Sequence, residues 1–209
     1  MLQEIFYRAA KIFFRVIFTL YNRLTVRWSG GVPEGRVIVA SNHASYIDPP
    51  LVGCVFRGRL RYLAKDSLFR NPLFGFLIGA LGATPVARGD SQRAGAVLKA
   101  LLSMLEKGES VLIFPEGTRS ADGRLKPLEG GAAYLSLKSG VPLLPVYISG
   151  SKNVMPPHKS FPRPAKLVVT FGALIHPVSG ERGGKGDRER VSAELEDALR
   201  KLEGESNCT

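Results

Sequence analysis

The sequence predicts an α/β fold, a single mostly parallel sheet flanked by helices, with an N-terminal amphipathic helix suited to a membrane interface. Three observations carry this prediction. Short continuous apolar runs recur along the chain, as strands buried on both faces should. Longer amphipathic stretches separate them, as in helices that cover a parallel sheet. A length of 209 residues fits one globular domain with little room for a second. Hydrophobic residues at 44% and charged residues at 22% match a packed core and exclude a disordered chain.

In chain order, residues 2–24 come first. Glu4, Arg8, Lys11, Arg15, Thr19 and Asn22 recur at steps of three or four and share one narrow stripe of a helix. Leu2, Ile5, Phe6, Ile12, Phe13, Val16, Ile17, Leu20 and Leu24 fill the remaining circumference. Such a helix suits the headgroup region of an anionic bilayer, or a docking site on the chain's own core or on a second copy. Arg15 interrupts the run short of the roughly 20 apolar residues that a span requires. No small-residue cleavage site follows, so a signal peptide is not expected.

Residues 36–40 read as a strand and residues 49–55 as a helix start, with further strands at 60–64 and 83–87. Between the last two, residues 71–87 carry no charge and read as a buried or membrane-facing helix followed by its strand. Gly75, Gly79 and Gly82 there permit close packing. Residues 91–107 form an amphipathic helix with Asp90 or Ser91 as N-cap, Leu98, Leu101 and Leu105 inward, and Gly108 as stop. Residues 110–114, 142–148 and 166–171 are further buried strands. Residues 180–190 read as a charged, Gly-rich linker to a last helix bearing Val191, Leu195, Leu199 and Leu202 on one side. The expected organisation is a basic helix at 1–28, an α/β core at 29–179, and a linker with a core-packed helix at 180–209.

Charge and cysteine content narrow the function. A formal charge of +11 calls for an anionic partner: nucleic acid, an acidic membrane surface or a phosphorylated substrate. Cys54 and Cys208 are two isolated thiols, too few for a disulfide framework or a Cys-rich zinc site, as expected in a reducing compartment. Cys54 reads as a small buried side chain in an apolar helix. His158 and His176 lack ligand-like spacing, so no metal is expected. No nucleophile elbow or phosphate-binding P-loop occurs.

Three groups of residues can carry chemistry. The first is Ser41-Asn42-His43-Ala44-Ser45-Tyr46-Ile47-Asp48-Pro49, just past a buried strand, where catalytic groups of open α/β sheets gather. On a straight helix His43 and Asp48 would lie about 140° apart, but across a turn Asp48 can fold back onto the imidazole. It would then fix the tautomer and leave the other nitrogen to take a proton from a substrate hydroxyl. Asp48 before Pro49 is equally a helix N-cap with proline at the first helical position.

The second group is Phe114-Pro115-Glu116-Gly117-Thr118-Arg119-Ser120, where a buried strand enters a tight turn expected to expose a carboxylate and a guanidinium. Gly117 permits close backbone approach to a ligand and Arg119 offers a fork suited to phosphate. The alternative is a surface turn with an ordinary ion pair. The third group is Lys65 and Arg88, cations just beyond strand ends that can converge with Arg119 on one phosphate or remain solvated.

Together these segments resemble the 1-acylglycerol-3-phosphate acyltransferase (PlsC-like) family. The His-x4-Asp motif runs from His43 to Asp48, and a second block from Lys65 through Leu68-Phe69, Pro72, Gly75 and Gly79 to Arg88. The third block is Phe114 to Ser120 and the fourth Val141-Pro142-Leu143-Leu144-Pro145-Val146, in the family's order and over about half the chain. The resemblance implies transfer of a fatty acyl group from acyl-CoA or acyl carrier protein to the sn-2 hydroxyl of lysophosphatidic acid, giving phosphatidic acid. It implies His43 as general base and Asp48 as its orienting partner. Lys65, Arg88 and Arg119 would hold the acceptor phosphate, with Glu116, Gly117 and Thr118 shaping its pocket. A thioester is already activated, so no cofactor is expected.

The implied partners are lysophosphatidic acid, the acyl donor and an anionic membrane surface, which places the chain at the cytoplasmic face of the cell membrane as a peripheral or monotopic protein. The chain is short for the family, with one N-terminal helical segment before the first strand. Another lyso-lipid acceptor is the nearest alternative. A non-catalytic basic protein is a further one, but the charges are scattered and no nucleic-acid module is recognisable, so no nucleic acid is expected as a partner.

Overall fold

The computed structural model describes residues 2–86, 92–156, 161–177 and 184–207. The chain opens with α1 (Leu2–Asn22), β1 (Thr25–Trp28), β2 (Ile38–Ser41), α2 (Asp48–Val55) and β3 (Leu60–Lys65). A 3-10 turn (Asp66–Phe69) leads into α3 (Pro72–Ala80) and β4 (Ala83–Val86), then α4 (Gln92–Glu106) and β5 (Ser110–Ile113). α5 (Gly131–Ser139), β6 (Leu143–Ser149), the single turn α6 (Ser151–Val154), β7 (Val168–Phe171) and α7 (Lys185–Asn207) complete it.

The seven strands form one sheet in the order β1-β7-β6-β2-β5-β3-β4. Every neighbouring pair is parallel except β6–β7. The carboxyl ends of β2, β3, β4, β5 and β6 therefore share one edge, and β1 and β7 run the opposite way.

Alternation along the strands feeds two cores. Val37, Val39, Leu112, Leu144 and Val146 face α1, α2 and α3, while Ile38, Ala40, Val111 and Leu143 face α4, α5 and α7. Both faces are buried, so these strands read as unbroken apolar runs. α3 begins as its sequence directs: Asn71 accepts from the Phe74 amide and Pro72 takes the first turn. Gly75 lets the helix close onto the backbone of Phe69, where a Cβ would lie 3.0 Å from the Phe69 Cα. Cys54 is buried, and burial pushes its thiol up to about 12.

Five elements depart from the sequence reading. β1 is a strand that the sequence reading passes over, and α5 and α6 were likewise unread. α7 begins at Lys185, so residues 185–190 are helical rather than linker. The Asp187 carboxylate reaches back to the Gly184 amide at 3.2 Å, half of a capping box, and a Lys185–Glu189 pair lies one turn on. The fifth is α1. Its buried positions are Tyr7, Ala10, Phe18 and Asn22, with Phe14 and Lys11 half-buried. Two members of the polar stripe thus face protein: Lys11 donates to the Phe56 carbonyl and Asn22 to that of Arg163. The opposite arc stays apolar and exposed through Ile5, Phe6, Ile12, Phe13, Val16, Ile17, Leu20 and Tyr21. α3 extends it with Leu73, Phe74 and Phe76, and the Phe6 and Phe76 rings meet edge to face at 5.6 Å. Among the described residues, no helix is long and apolar enough to cross a membrane.

Candidate active site

β2 and β5 are hydrogen-bonded neighbours, so the loops after Ser41 and Ile113 emerge side by side at the carboxyl edge of the sheet. Asn42 continues the sheet with its side chain, donating to the Ile148 carbonyl at 3.0 Å and accepting from the Ile148 amide at 2.7 Å. This clamp to β6 fixes where the next residue starts.

That residue is His43. Its amide donates to Glu116 Oε1 and its carbonyl accepts from the Ser120 amide, both at 2.7 Å. Its ring stacks on Phe114 with centroids 4.0 Å apart. Nδ1 lies 2.8 Å from Asp48 Oδ2, in a position to donate to it. The same Asp48 oxygen accepts from the Ala44 and Ser45 amides at 2.7 Å each. α2 has no side-chain cap, so Asp48 does not serve as the N-cap that its place before Pro49 allowed. Its fully buried carboxylate, with Oδ1 unpartnered, turns back into the loop instead. With Nδ1 committed to Asp48, Nε2 is the ring nitrogen left to a substrate.

Glu116 is buried, not exposed as the turn's sequence suggested. One oxygen receives the His43 amide and the other the Lys126 amide at 3.0 Å. Burial pushes its carboxyl up from the ordinary value, against the opposing pull of those two amides. Gly117 has φ +68, and a Cβ there would overlap the Glu129 carboxylate, so this turn requires glycine.

The family model described as Acyltransferase matches residues 23–149. The chain belongs to the acyltransferase family. It is 35% identical over 120 residues to a chloroplastic 1-acyl-sn-glycerol-3-phosphate acyltransferase of Brassica napus, covering 57% of this chain and 34% of that protein. A lyso-ornithine lipid O-acyltransferase of Pseudomonas aeruginosa is 31% identical over 159 residues, 76% of this chain and 59% of that one. The chain spans about a third to three fifths of the length of the curated relatives it matches. The crystal structure of PlsC, the lysophosphatidate acyltransferase of Thermotoga maritima, superposes with a TM-score of 0.75 at 26% identity, covering 94% of this chain and 79% of that one.

Within this acyltransferase fold, the residues expected from the sequence are only partly gathered. His43, Asp48, Glu116, Gly117, Thr118 and Arg119 come together across the β2 and β5 loops. Lys65 stands exposed at the carboxyl end of β3, on the same edge but with β5 between it and β2. Arg88, with Asp90 and Ser91, lies outside the described residues, as do His158 and Cys208. The structure adds groups that were not singled out. Lys126 Nζ donates to Thr118 Oγ1 at 2.6 Å, which brings a further cation to the turn. The Arg119 guanidinium lies 3.6 Å from the Tyr46 ring centroid. The Arg119–Tyr46 contact joins segments far apart in sequence, and the Lys126–Thr118 bond spans a loop of irregular backbone; neither has a periodic signal. Among the described residues, no group of three or more His, Cys, Asp or Glu side chains is placed to hold a metal ion.

Proposed function

We propose that the chain transfers a fatty acyl group from a thioester, acyl-CoA or acyl carrier protein, to the sn-2 hydroxyl of 1-acylglycerol-3-phosphate, giving phosphatidic acid for phospholipid synthesis. The observation that carries this reading is the His43–Asp48 pair, held at 2.8 Å beside an arginine at the carboxyl edge of the sheet. His43 Nε2 takes the hydroxyl proton as the oxygen attacks the thioester carbonyl. The tetrahedral intermediate collapses, the C–S bond breaks, and the imidazolium returns the proton to the leaving thiolate. Asp48 holds the ring and balances the charge that forms on it. Arg119 and Lys126 meet the acceptor phosphate, joined by Thr118 and, further along the edge, by Lys65 and Arg88. The exposed apolar arc of α1 and α3 enters the lipid surface, so the site works at the membrane, at its cytoplasmic face in our reading.

A second acceptor has its own support. The Glu129 carboxylate packs against Gly117, which puts negative charge beside the anion-binding turn. An amine-bearing lyso-lipid would meet that charge favourably, and the Pseudomonas relative is named for such an acceptor.

Release of free thiol from acyl-CoA or acyl carrier protein separates these readings. Acceptor-dependent release with lysophosphatidate is expected, and His43→Ala should lower kcat by about 10²–10⁴-fold with little change in KM. Release with an amine-bearing lyso-lipid alone would keep the chemistry and move the substrate. No release from either donor with any acceptor would sink the enzyme reading.

A further inference from the structure

We propose that Tyr46 is a positioning residue: its ring holds the Arg119 guanidinium ready for the acceptor's phosphate and ties that cation to the loop carrying His43. The proposal rests on the acyltransferase reading above for the identity of the acceptor. Tyr46 is the outlier of its loop. Ala44, Ser45 and Asp48 are buried and hydrogen-bonded in place, whereas Tyr46 is 50% exposed. Its contact is the half-buried Arg119, whose guanidinium carbon sits 3.6 Å from the ring centroid.

The chemistry of that contact suits anion binding. A carboxylate would hold the arginine equally well but would neutralise it, and among the described residues no ion pair engages Arg119. An aromatic face restrains the guanidinium through its quadrupole and leaves the charge intact. It occupies the flat face and frees the N–H edge, the fork that takes phosphate bidentately. Rotamer freedom is lost before the ligand arrives, so less is lost on binding. Because Tyr46 lies between His43 and Asp48 in sequence, phosphate and base are held in one frame.

The test uses the full chain with Tyr46→Leu, Tyr46→Phe and Arg119→Ala. It reads steady-state thiol release and calorimetric binding of lysophosphatidate below its micelle concentration, with monoacylglycerol as the phosphate-free control. Tyr46→Leu should raise both KM and Kd for lysophosphatidate about three- to tenfold, with kcat kept within about twofold. Tyr46→Phe should match the wild type, monoacylglycerol binding should not change, and Tyr46→Leu should add nothing in an Arg119→Ala background. An unchanged KM with a fallen kcat would mean a distorted loop and overturn the proposal. So would equal losses for monoacylglycerol, or a Phe variant as weak as Leu. If the wild type released no thiol yet bound lysophosphatidate in a Tyr46-dependent way, the acyl-transfer reading would fall and the anion site would stand.

Discussion

Glu116 shows how a single side chain can set the loop that carries His43. Its two oxygens receive one backbone amide from each flanking segment, so it locks His43 and Lys126 to the turn between them. Glutamine is nearly isosteric but carries an NH2 where one amide must be met, so Glu116→Gln places donor against donor. We expect a loss of about 1–3 kcal/mol in stability, read by urea denaturation, together with a fall in kcat as His43 shifts. The pH dependence adds a second readout. Burial lifts the Glu116 carboxyl above its ordinary value, so between the two values the folded chain keeps a proton that the unfolded chain has given up. This group's contribution to stability therefore declines as pH rises through that window, and thermal melts of Glu116→Gln should lack that decline. An unchanged slope would mean that another group titrates there. The residue was legible as a site candidate from its motif, but its direction was not. Whether a turn carboxylate faces solvent or backbone depends on the neighbouring strand's loop.

At the scale of elements, α1 joins two tasks that periodicity alone had merged. The apolar arc was readable from spacing, but two of the six polar-stripe residues anchor the helix to protein. Lys11 and Asn22 find backbone carbonyls there, while Tyr7 and Phe18 enter the core. Removing residues 1–27 would therefore strip the core and most of β1, and could not isolate a lipid contact. Charge on the exposed arc can. Phe13 and Val16 are 49% and 47% exposed, so Phe13→Asp with Val16→Asp should leave the fold intact. Each side chain contributes roughly 1.5–3 kcal/mol when fully buried in an apolar phase, so the pair should release the chain from anionic vesicles in a sedimentation assay. Full retention would place the lipid contact elsewhere. The elements that the sequence did not disclose are those with weak local signals. β1 is four half-buried residues at the sheet edge, and α5 starts at Gly130-Gly131 with no side-chain cap. Their structure comes from tertiary partners, β7 for the strand and the second core for the helix.

Across the whole molecule, the sheet separates two environments. Helices α1, α2 and α3 cover the face that carries the exposed apolar arc, α4, α5 and α7 cover the other, and the His43–Asp48 pair sits on the edge between them. That edge was foreseeable because apolar strands alternate with helices and both short motifs follow strands. The meeting of Asn42 with Ile148, or of Arg119 with Tyr46, required the strand order. α7 decides whether this architecture is one unit or a core with an appendage. A charged, Gly-rich sequence at 180–190 suggested a linker to a core-packed helix, and Val191, Leu195, Leu199 and Leu202 are all buried. α7 packs on β6, the strand whose Ile148 holds Asn42 in place. If the helix belongs to the same cooperative unit, Leu199→Ala should lower global stability by about 2–5 kcal/mol while one urea transition persists. Exposed Lys201, on the same helix, should tolerate alanine within about 0.5 kcal/mol. An appendage would behave differently: Leu199→Ala would produce an early local transition and leave the main midpoint unmoved. With one unit, the same substitution must also loosen the Asn42 clamp under heat, so activity and tertiary signal should be lost at the same temperature.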